Sequence, residues 1–308
     1  MTLTLEAIGP DSAADVVALI HAAFGARPAL DPPSTALDET AESVASALAD
    51  HGGVLARLDG RPVGSLILEP HDDRLGRQLG LRRVAVHPDA QGAGVAKALA
   101  HFAERLAAER GWSGVRLAAR TELPATVRFW EHLGYGELEH HGTSVTMGKE
   151  LPFSVPAVTA EDTRDLGLRI AKLLRGGDLL ILSGDLGAGK TTFTQGLGEG
   201  LGVRGDITSP TFVIARVHPP LSGGPALVHV DAYRLGDTAE LDDLDLDASL
   251  DDAVTVVEWG TGLAEALTED RLEVRILRET GADAGESRTL ELNPVGARWV
   301  GSGLAALA

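Results

Sequence analysis

The stretch ILSGDLGAGKTTFTQGLGEGLG, residues 181–202, decides the fold of the half of the chain that holds it. Within it residues 184–191 read G-x-x-x-x-G-K-T, with the apolar run DLLILS before them and a helix-compatible run after. Glycines let successive backbone N–H groups turn around phosphate oxygens, and the helix N-terminus adds its positive end. Lys190 is then placed to reach the β- and γ-phosphates of a nucleotide, and the Thr191 hydroxyl to ligate Mg²⁺. A chain of this composition produces the pattern by chance about 0.006 times, so the strand–loop–helix setting predicts a phosphate cradle in an α/β domain.

That cradle begins only after 180 residues of a 308-residue chain, and such a length amounts to about two domains. There is no cysteine, which excludes disulfides and thiolate metal sites and is compatible with a reducing compartment. No apolar run reaches the roughly 20 residues that span a bilayer, and MTLTLEAIGPDSAADVV lacks a basic start followed by an apolar stretch. The expectation is a cytoplasmic protein with no membrane partner. The net charge of −18 divides into −6 over residues 1–150 (20 acidic, 14 basic) and −12 over residues 151–308 (25 and 13). Neither half offers a strongly basic face, so direct, tight binding of nucleic acid is disfavoured.

Residues 1–150 alternate strand-type and helix-type runs. LTLEAI reads as a strand, DSAADVVALIHAAF as a helix capped by Asp or Ser, and ALDETAESVASALAD as a second helix. Three strands follow: GVLARLD and PVGSLILEP, joined by the turn DGR, then LGLRRVAVHP. AQGAGVAKALAHFAERLAAERG is a helix ended by Gly111, SGVRLAAR a strand, LPATVRFWEHLG a helix closed by Gly134, and YGELEHH with SVTMGKEL a final strand pair. The order β-α-α-β-β-β-α-β-α-β-β makes one mixed α/β domain. The two prolines of ELPFSVPAV put a boundary near residues 151–155. Beyond it come the helix AEDTRDLGLRIAKLLRGG, the cradle, and strands at TFVIARVH, ALVHVDAY, AVTVVEW, LEVRIL and SRTLELN, while the tail VGSGLAALA carries no pattern. The expected fold class is α/β in two domains, 1–150 and 151–308.

A second Mg²⁺ ligand is expected at the end of a later strand, because Mg²⁺ takes oxygen ligands in an octahedral array. Asp231 in VHVDAYRL and Glu258 in TVVEWG both qualify. The motifs EDTRDLG around Thr163, GDLGAGKTTF, SPTF at 209–212, HVDAYRL at 229–235 and EW at 258–259 stand in one order, with Arg288 beyond them. Together they make residues 153–292 resemble the TsaE family, the ATPase of bacterial tRNA threonylcarbamoyladenosine biosynthesis. The resemblance implies a P-loop NTPase fold that binds ATP and Mg²⁺. In it Thr163 and Arg288 contact the nucleotide, Gly187, Ala188, Gly189, Lys190, Thr191 and Thr192 hold the phosphates, and Thr191 and Glu258 hold the metal. Asp231 would lie beside the γ-phosphate, Thr211 in a switch-like segment and Trp259 flanking the site, which makes Lys190, Asp231, Glu258, Thr211 and Trp259 the implied catalytic set. The implied activity is ATP hydrolysis that supports threonylcarbamoyl modification of the tRNA adenosine beside the anticodon. TsaD/TsaB-type proteins of the threonylcarbamoyl transferase complex would be the partners and would hold the tRNA. A P-loop small-molecule kinase is the alternative; stimulation by a metabolite instead of those partners would distinguish it.

The acidic stretch LDDLDLDASLDD, residues 241–252, fails as a calcium loop. Starting from Asp243, Ala248 and Val254 occupy the positions that need Gly and Glu. A solvated or partner-facing acidic surface is expected there instead.

In the first half, Gln91-x-x-Gly94-x-Ala96 is a weak pattern alone, but it follows a strand ending in VAVHP and opens a long helix. That setting again gathers backbone N–H groups at a helix N-terminus. With the strand order above, residues 1–150 resemble the GNAT-type N-acetyltransferases. The resemblance implies an acyltransferase fold that binds acetyl-CoA, with Gln91, Gly92, Gly94, Val95, Ala96 and Lys97 around the pyrophosphate. Val84 and Val86 would lend backbone groups to the pantetheine arm. Many members carry an acidic tyrosine in N-x-x-A-x-x-F-Y. Here LPATVRFW puts Leu123 and Trp130 at the asparagine and tyrosine positions, and an indole N–H is no comparable proton donor. Tyr135 lies close in sequence, and Glu69 and His87 are candidate bases at strand ends. Adjacent His140 and His141 point to opposite faces of a strand and make a poor metal pair. Two functions stay open for this half: an acetyltransferase acting on an unidentified amine, or a non-catalytic acyl-CoA-binding or docking module for the ATPase.

Overall fold

The computed structural model describes residues 2–73, 76–236, 240, 251–278 and 287–307. Most of the acidic stretch 241–252 therefore lies outside the described residues. Contacts divide the chain into two compact units, Met1–Leu151 and Pro152–Ala308. Among the described residues no helix is long and apolar enough to cross a membrane.

The first unit runs β1 (Leu3–Ile8), α1 (Ala13–Gly25), α2 (Ala41–His51), β2 (Gly53–Leu58), β3 (Arg61–Asp73), β4 (Gly76–Val86), α3 (Val95–Glu109), β5 (Gly114–Arg120), α4 (Pro124–Glu131), β6 (Gly136–His141) and β7 (Ser144–Glu150). The helices end where the sequence offers stops, but α1 is entered through a 3-10 turn at Pro10–Ser12, and the Ser12 side chain makes no capping bond. A reciprocal capping box between Thr40 and Ser43 starts α2 instead. The seven strands form one sheet in the order β1-β2-β3-β4-β5-β7-β6. Successive apolar residues of β2 and β3 serve opposite cores. Leu55 and Ile67 pack with Val16, Ile20 and Leu48 of α1 and α2, while Val54 and Leu66 pack with Leu99 of α3 and Trp130 of α4. This two-sided burial is why these strands read as near-continuous apolar runs.

The pair β4–β5 is parallel and is hydrogen-bonded only over residues 78–81 and 114–117. Past that point a bulge on β4, opposite Leu66 of β3 and with Arg83 at φ 53°, bends the strand. The two strands diverge and open a cleft between them.

The second unit runs β8 (Phe153–Ala157), α5 (Ala160–Ala171), β9 (Leu179–Ser183), α6 (Lys190–Leu201), β10 (Ala215–His218), β11 (Ala226–Asp231), β12 (Ala253–Glu258), β13 (Arg271–Arg278) and β14 (Arg288–Val295). Its sheet order is β10-β11-β12-β9-β13-β14-β8, with β11, β12, β9 and β13 mutually parallel. Helices α5 and α6 pack so closely that a Cβ on Gly196 would collide with the Arg164 carbonyl oxygen.

Three features depart from the sequence reading. Residues 153–157, taken only as a boundary, form β8, paired with β14; as an edge strand it tolerates Pro156, whose missing N–H costs no ladder bond on the open side. The strand expected over TFVIARVH is confined to its last four residues. Residues 211–214 instead turn, with the Val213 and Ile214 amides donating to the Pro210 carbonyl and Ile214 at φ 65°. The tail VGSGLAALA joins the core through buried Leu304; just before it Trp299 is buried in the same core, and Arg298 forms a bidentate pair with buried Asp178, 2.7 Å at each oxygen.

Candidate functional site

In the second unit β9 delivers the chain into the glycine loop and α6 takes it away. Gly184 sits at φ 140°, where a Cβ would strike the Ile276 carbonyl, so only glycine fits this approach of loop to β13. Lys190, the first residue of α6, is buried. Its Nζ donates to the carbonyls of Gly184 (2.8 Å) and Asp185 (3.1 Å) and lies 3.8 Å from the centre of the Trp259 ring. Burial lowers the Lys190 pKa, while Glu258, Asp231 and Asp185 oppose that shift.

Two parallel strands bring the two carboxylates side by side, since Asp231 ends β11 in register with Glu258, which ends β12. Both are 3% exposed, and each has its own set of partners. Glu258 Oε1 accepts from Thr191 Oγ1 at 3.0 Å and meets His229 Nε2 at 2.9 Å. Asp231 Oδ2 accepts from Ser209 Oγ at 2.9 Å and from Thr211 Oγ1, and its Oδ1 accepts from the Tyr233 amide at 3.1 Å. The turn at residues 211–214 and the segment before it are thus tied, through the Thr211 and Ser209 hydroxyls, to the carboxylate that ends β11. Trp259 takes φ 61°, rare for a bulky residue, and this turns its ring over Lys190 and against Tyr233, 5.3 Å between centroids. Arg288 Nε donates to the Ala188 carbonyl at 2.8 Å, and Arg288 and Thr163 both approach Gly189.

All the residues expected at the nucleotide therefore converge on one loop, with the exposed backbone of Gly187, the buried Ala188 and the half-buried Thr192 completing its rim. His229 received no role from the sequence. It precedes Asp231 by two positions on the same strand, so it shares the face on which both carboxylates stand, and that alternation was the available signal.

In the first unit the diverging strands enclose a cleft of about 870 Å³. Val84, Val86, Gln91 and Ala96 line it. Gly92 and Gly94 precede α3 in left-handed conformations in open space. The Val95 side chain is buried in the core and Lys97 is exposed, so any part they take in binding falls to the Val95 backbone and the Lys97 surface. Glu69 lines the cleft. His71, two residues on, lines it too, with Nε2 3.8 Å from Glu69 Oε2. Its ring lies over Gly80, where a Cβ would come within 2.6 Å of Nε2.

His87 is not among the lining residues; its Nδ1 accepts from the Asp89 amide at 3.3 Å. Trp130 lines the cleft, and Tyr135 does not. The Tyr135 hydroxyl is buried and donates to Glu104 at 3.1 Å, and burial with the Glu104 charge raises its pKa well above the ordinary value. A tyrosine so placed cannot stand in for the missing acid.

Comparison with known proteins finds a different family in each unit. The family described as threonylcarbamoyl adenosine biosynthesis protein TsaE matches residues 157–289, and the acetyltransferase (GNAT) family matches residues 19–135. The tRNA threonylcarbamoyladenosine biosynthesis protein TsaE of Streptomyces coelicolor is 64% identical over 146 residues, covering 47% of this chain and 99% of that protein. Its counterpart from Bacillus subtilis is 38% identical over 143 residues, 46% of this chain and 85% of that protein. A solved PaiA N-acetyltransferase from Thermoplasma acidophilum, in complex with coenzyme A, is 15% identical and covers 49% of this chain and 99% of its own, at a TM-score of 0.43. The chain belongs to the TsaE family of tRNA threonylcarbamoyladenosine biosynthesis through its second unit, and the unit fused before it is a GNAT-family acetyltransferase domain.

Proposed function

We propose that the second unit is a Mg²⁺-dependent ATPase that drives turnover of tRNA threonylcarbamoylation with TsaD/TsaB-type partners in the cytoplasm. The observation that carries this reading is the hydrogen-bonded chain from Thr191 to the buried pair Glu258–His229 beside the glycine loop. Thr191 Oγ1 and Glu258 Oε1 are 3.0 Å apart, close to the about 2.9 Å edge of an octahedron with Mg²⁺–oxygen bonds of about 2.0–2.1 Å. Mg²⁺ is held by one or two protein oxygens with phosphates and water, and Thr191 with Glu258 would supply two. When bound, Mg²⁺ supplies charge neutralisation at the β- and γ-phosphate oxygens.

The chain's own residues do the rest. The loop amides and Lys190 neutralise phosphate charge, and the Lys190 ammonium leaves its carbonyl partners to do so. His229 holds the Glu258 carboxylate in place. Asp231, gripped by Ser209 and Thr211, orients the attacking water, and Trp259 covers the lysine on its outer side. Neutral His229 or Asp231 variants would leave the fold and weaken positioning, whereas Lys190→Ala should remove hydrolysis. With the partner proteins and tRNA, Lys190→Ala protein should complete at most a single round of modification; repeated turnover would sink the proposal.

For the first unit we propose acetyl transfer from acetyl-CoA to an amine. The divergence of β4 and β5 beside the loop at residues 91–97 carries this reading, because it leaves β4 backbone groups free to bond an extended arm. Glu69, with His71 beside it, takes the proton from the incoming ammonium. A thiolate whose conjugate acid has a pKa near the Cys value of about 8.5 leaves without a strong acid, so the replacement of tyrosine by Trp130 is compatible with turnover. The test is coenzyme A release in the presence of a panel of amines and peptide N-termini. Coenzyme A binding without any release would make the unit a docking module.

A further inference from the structure

Arg27 follows the end of α1 and lines the cleft of the first unit. Its guanidinium lies 3.9 Å from the Phe24 ring centroid. Other arginines of the cleft have carboxylates: Arg82 and Arg83 share Glu39 at 3.2 and 3.0 Å, and Arg120 pairs with Glu122. Among the described residues no carboxylate lies within ion-pairing distance of Arg27, although burial is sufficient to lower its pKa. A partly desolvated cation without a counter-charge is unfavourable unless a ligand supplies one.

Which ligand that is follows from sidedness and charge. Helix α1 packs on the sheet face of Leu55, Ile67 and Ala85, whereas the loop at residues 91–97 opens α3, which packs on the opposite face. Arg27 therefore enters the cleft from the side away from the loop that would hold the coenzyme A phosphates. Of the arginines that line the cleft, Arg82, Arg83 and Arg120 are already paired with Glu39 and Glu122, and the one carboxylate in the lining itself is that of Glu69. A cation in the cleft wall that no carboxylate offsets favours an acceptor that carries an anion as well as its amine. A guanidinium fork matches a carboxylate through two parallel hydrogen bonds.

We propose that the acceptor of the first unit is an amine that carries a carboxylate, and that Arg27 binds that carboxylate. The proposal rests on the acetyltransferase assignment and names its acceptor class. The source of the carboxylate is either a free amino acid or an acidic side chain near a peptide N-terminus.

The experiment uses the full chain and follows coenzyme A release with three probe sets: free amino acids, the matching amino-acid amides, and tetrapeptides with Asp or Ala at the second position. Carboxylate-bearing acceptors should exceed their amide or Ala counterparts at least tenfold in kcat/KM. Preference for free amino acids or for the Asp peptides identifies the source, and either supports the proposal. Arg27→Ala should lower kcat/KM for the preferred acceptor about 10- to 100-fold, the effect of removing a charged hydrogen-bond partner. It should collapse the ratio toward one and leave the KM for acetyl-CoA within twofold, with Arg27→Lys in between. Equal rates for acids and amides, or an effect of Arg27→Ala confined to the acetyl-CoA KM, would overturn it. If no amine is turned over, the acetyltransferase assignment fails by itself. Calorimetry of glycine against glycinamide, and of the Asp against the Ala tetrapeptide, on the coenzyme A-loaded protein then decides: binding of the acid member of either pair that is lost in Arg27→Ala upholds the carboxylate site, and equal or absent binding in both pairs refutes it.

Discussion

Replacing Glu258 by glutamine separates catalysis from stability. The carboxylate is 3% exposed and holds two partners, Thr191 at 3.0 Å and His229 at 2.9 Å. Glutamine keeps the shape and the acceptor oxygen but removes the charge. Each hydrogen bond then falls from the charged range toward the neutral one, about 1 kcal/mol apiece and about 2 kcal/mol in all. Against this stands relief from burying a carboxylate, an effective penalty of several kcal/mol. The two terms nearly offset, so the unfolding midpoint should move by less than about 4 °C at roughly 2–4 °C per kcal/mol for a unit of this size. Transition-state charge has no such compensation. Losing one preorganised electrostatic group costs about 10²–10³ in kcat, and the Mg²⁺ concentration needed for half-maximal ATPase should rise as well. Steady-state ATPase with Mg²⁺ titration, paired with calorimetric melting of Glu258→Gln, gives both numbers. A variant that keeps ATPase within tenfold of the parent, or loses activity only in proportion to lost stability, would refute the role assigned to this carboxylate.

Three further outcomes follow from the same kind of balance. Tyr135→Phe should leave coenzyme A release within about twofold and lower stability by about 1.5 kcal/mol, the value of a hydrogen bond to charged Glu104; a hundredfold fall in rate would restore the tyrosine as the acid. Arg298→Ala strands the buried Asp178 carboxylate, so calorimetry should show the second unit losing about 3 kcal/mol or more, roughly 6–12 °C; a melt unchanged within 2 °C would mean that this ion pair does not hold the C-terminal segment to the core. Buried His218 has its pKa lowered, by burial first and then by His229 and Arg216. Its stabilising contribution is whole above the unfolded value of about 6.5 and is lost as pH falls through the folded pKa, because the unfolded chain takes the proton first. Melting temperatures of His218→Gln between pH 8 and 5 should therefore fall less steeply than those of the parent, and parallel curves would exclude this group as the cause.

How far the two sites could be read in advance depends on where their chemistry is written. In the glycine loop each requirement maps to a residue type at fixed spacing: a Cβ-free turn at Gly184, a cation at Lys190, a hydroxyl at Thr191. The strand ends bearing Asp231 and Glu258 were legible because parallel strands are buried on both faces, so a carboxylate ending an apolar run stands out. His229 was hidden by the same run, since a buried polar residue inside a strand looks like a core histidine until its partner is known. The β-propensity of FVIARV concealed a turn, because nothing local announces that Ser209 and Thr211 bond a carboxylate some 20 residues later. Pro156 concealed β8, because whether a strand lies at an edge is a property of the sheet order and not of the strand.

The acetyltransferase cleft was harder to read because its decisive element is a loss of pairing. Nothing in LRRVAV marks residue 81 as the last one bonded to β5; the bulge at Arg83 arises from register against β3, a non-local fact. Side-chain roles shift with it. Strand β3 runs to Asp73, past the end the alternation suggested, so the strand-end search stopped at Glu69 and missed His71 on the same face. Arg27 lies in a connection with no pattern, and its meaning comes only from the company it lacks. Arg82, Arg83 and Arg120 look equally basic in sequence, yet Glu39 and Glu122 occupy them. The residue left for a ligand is the one whose neighbours contain no carboxylate, and that is decided by how α1, α2 and the sheet are packed, not by the arginine itself.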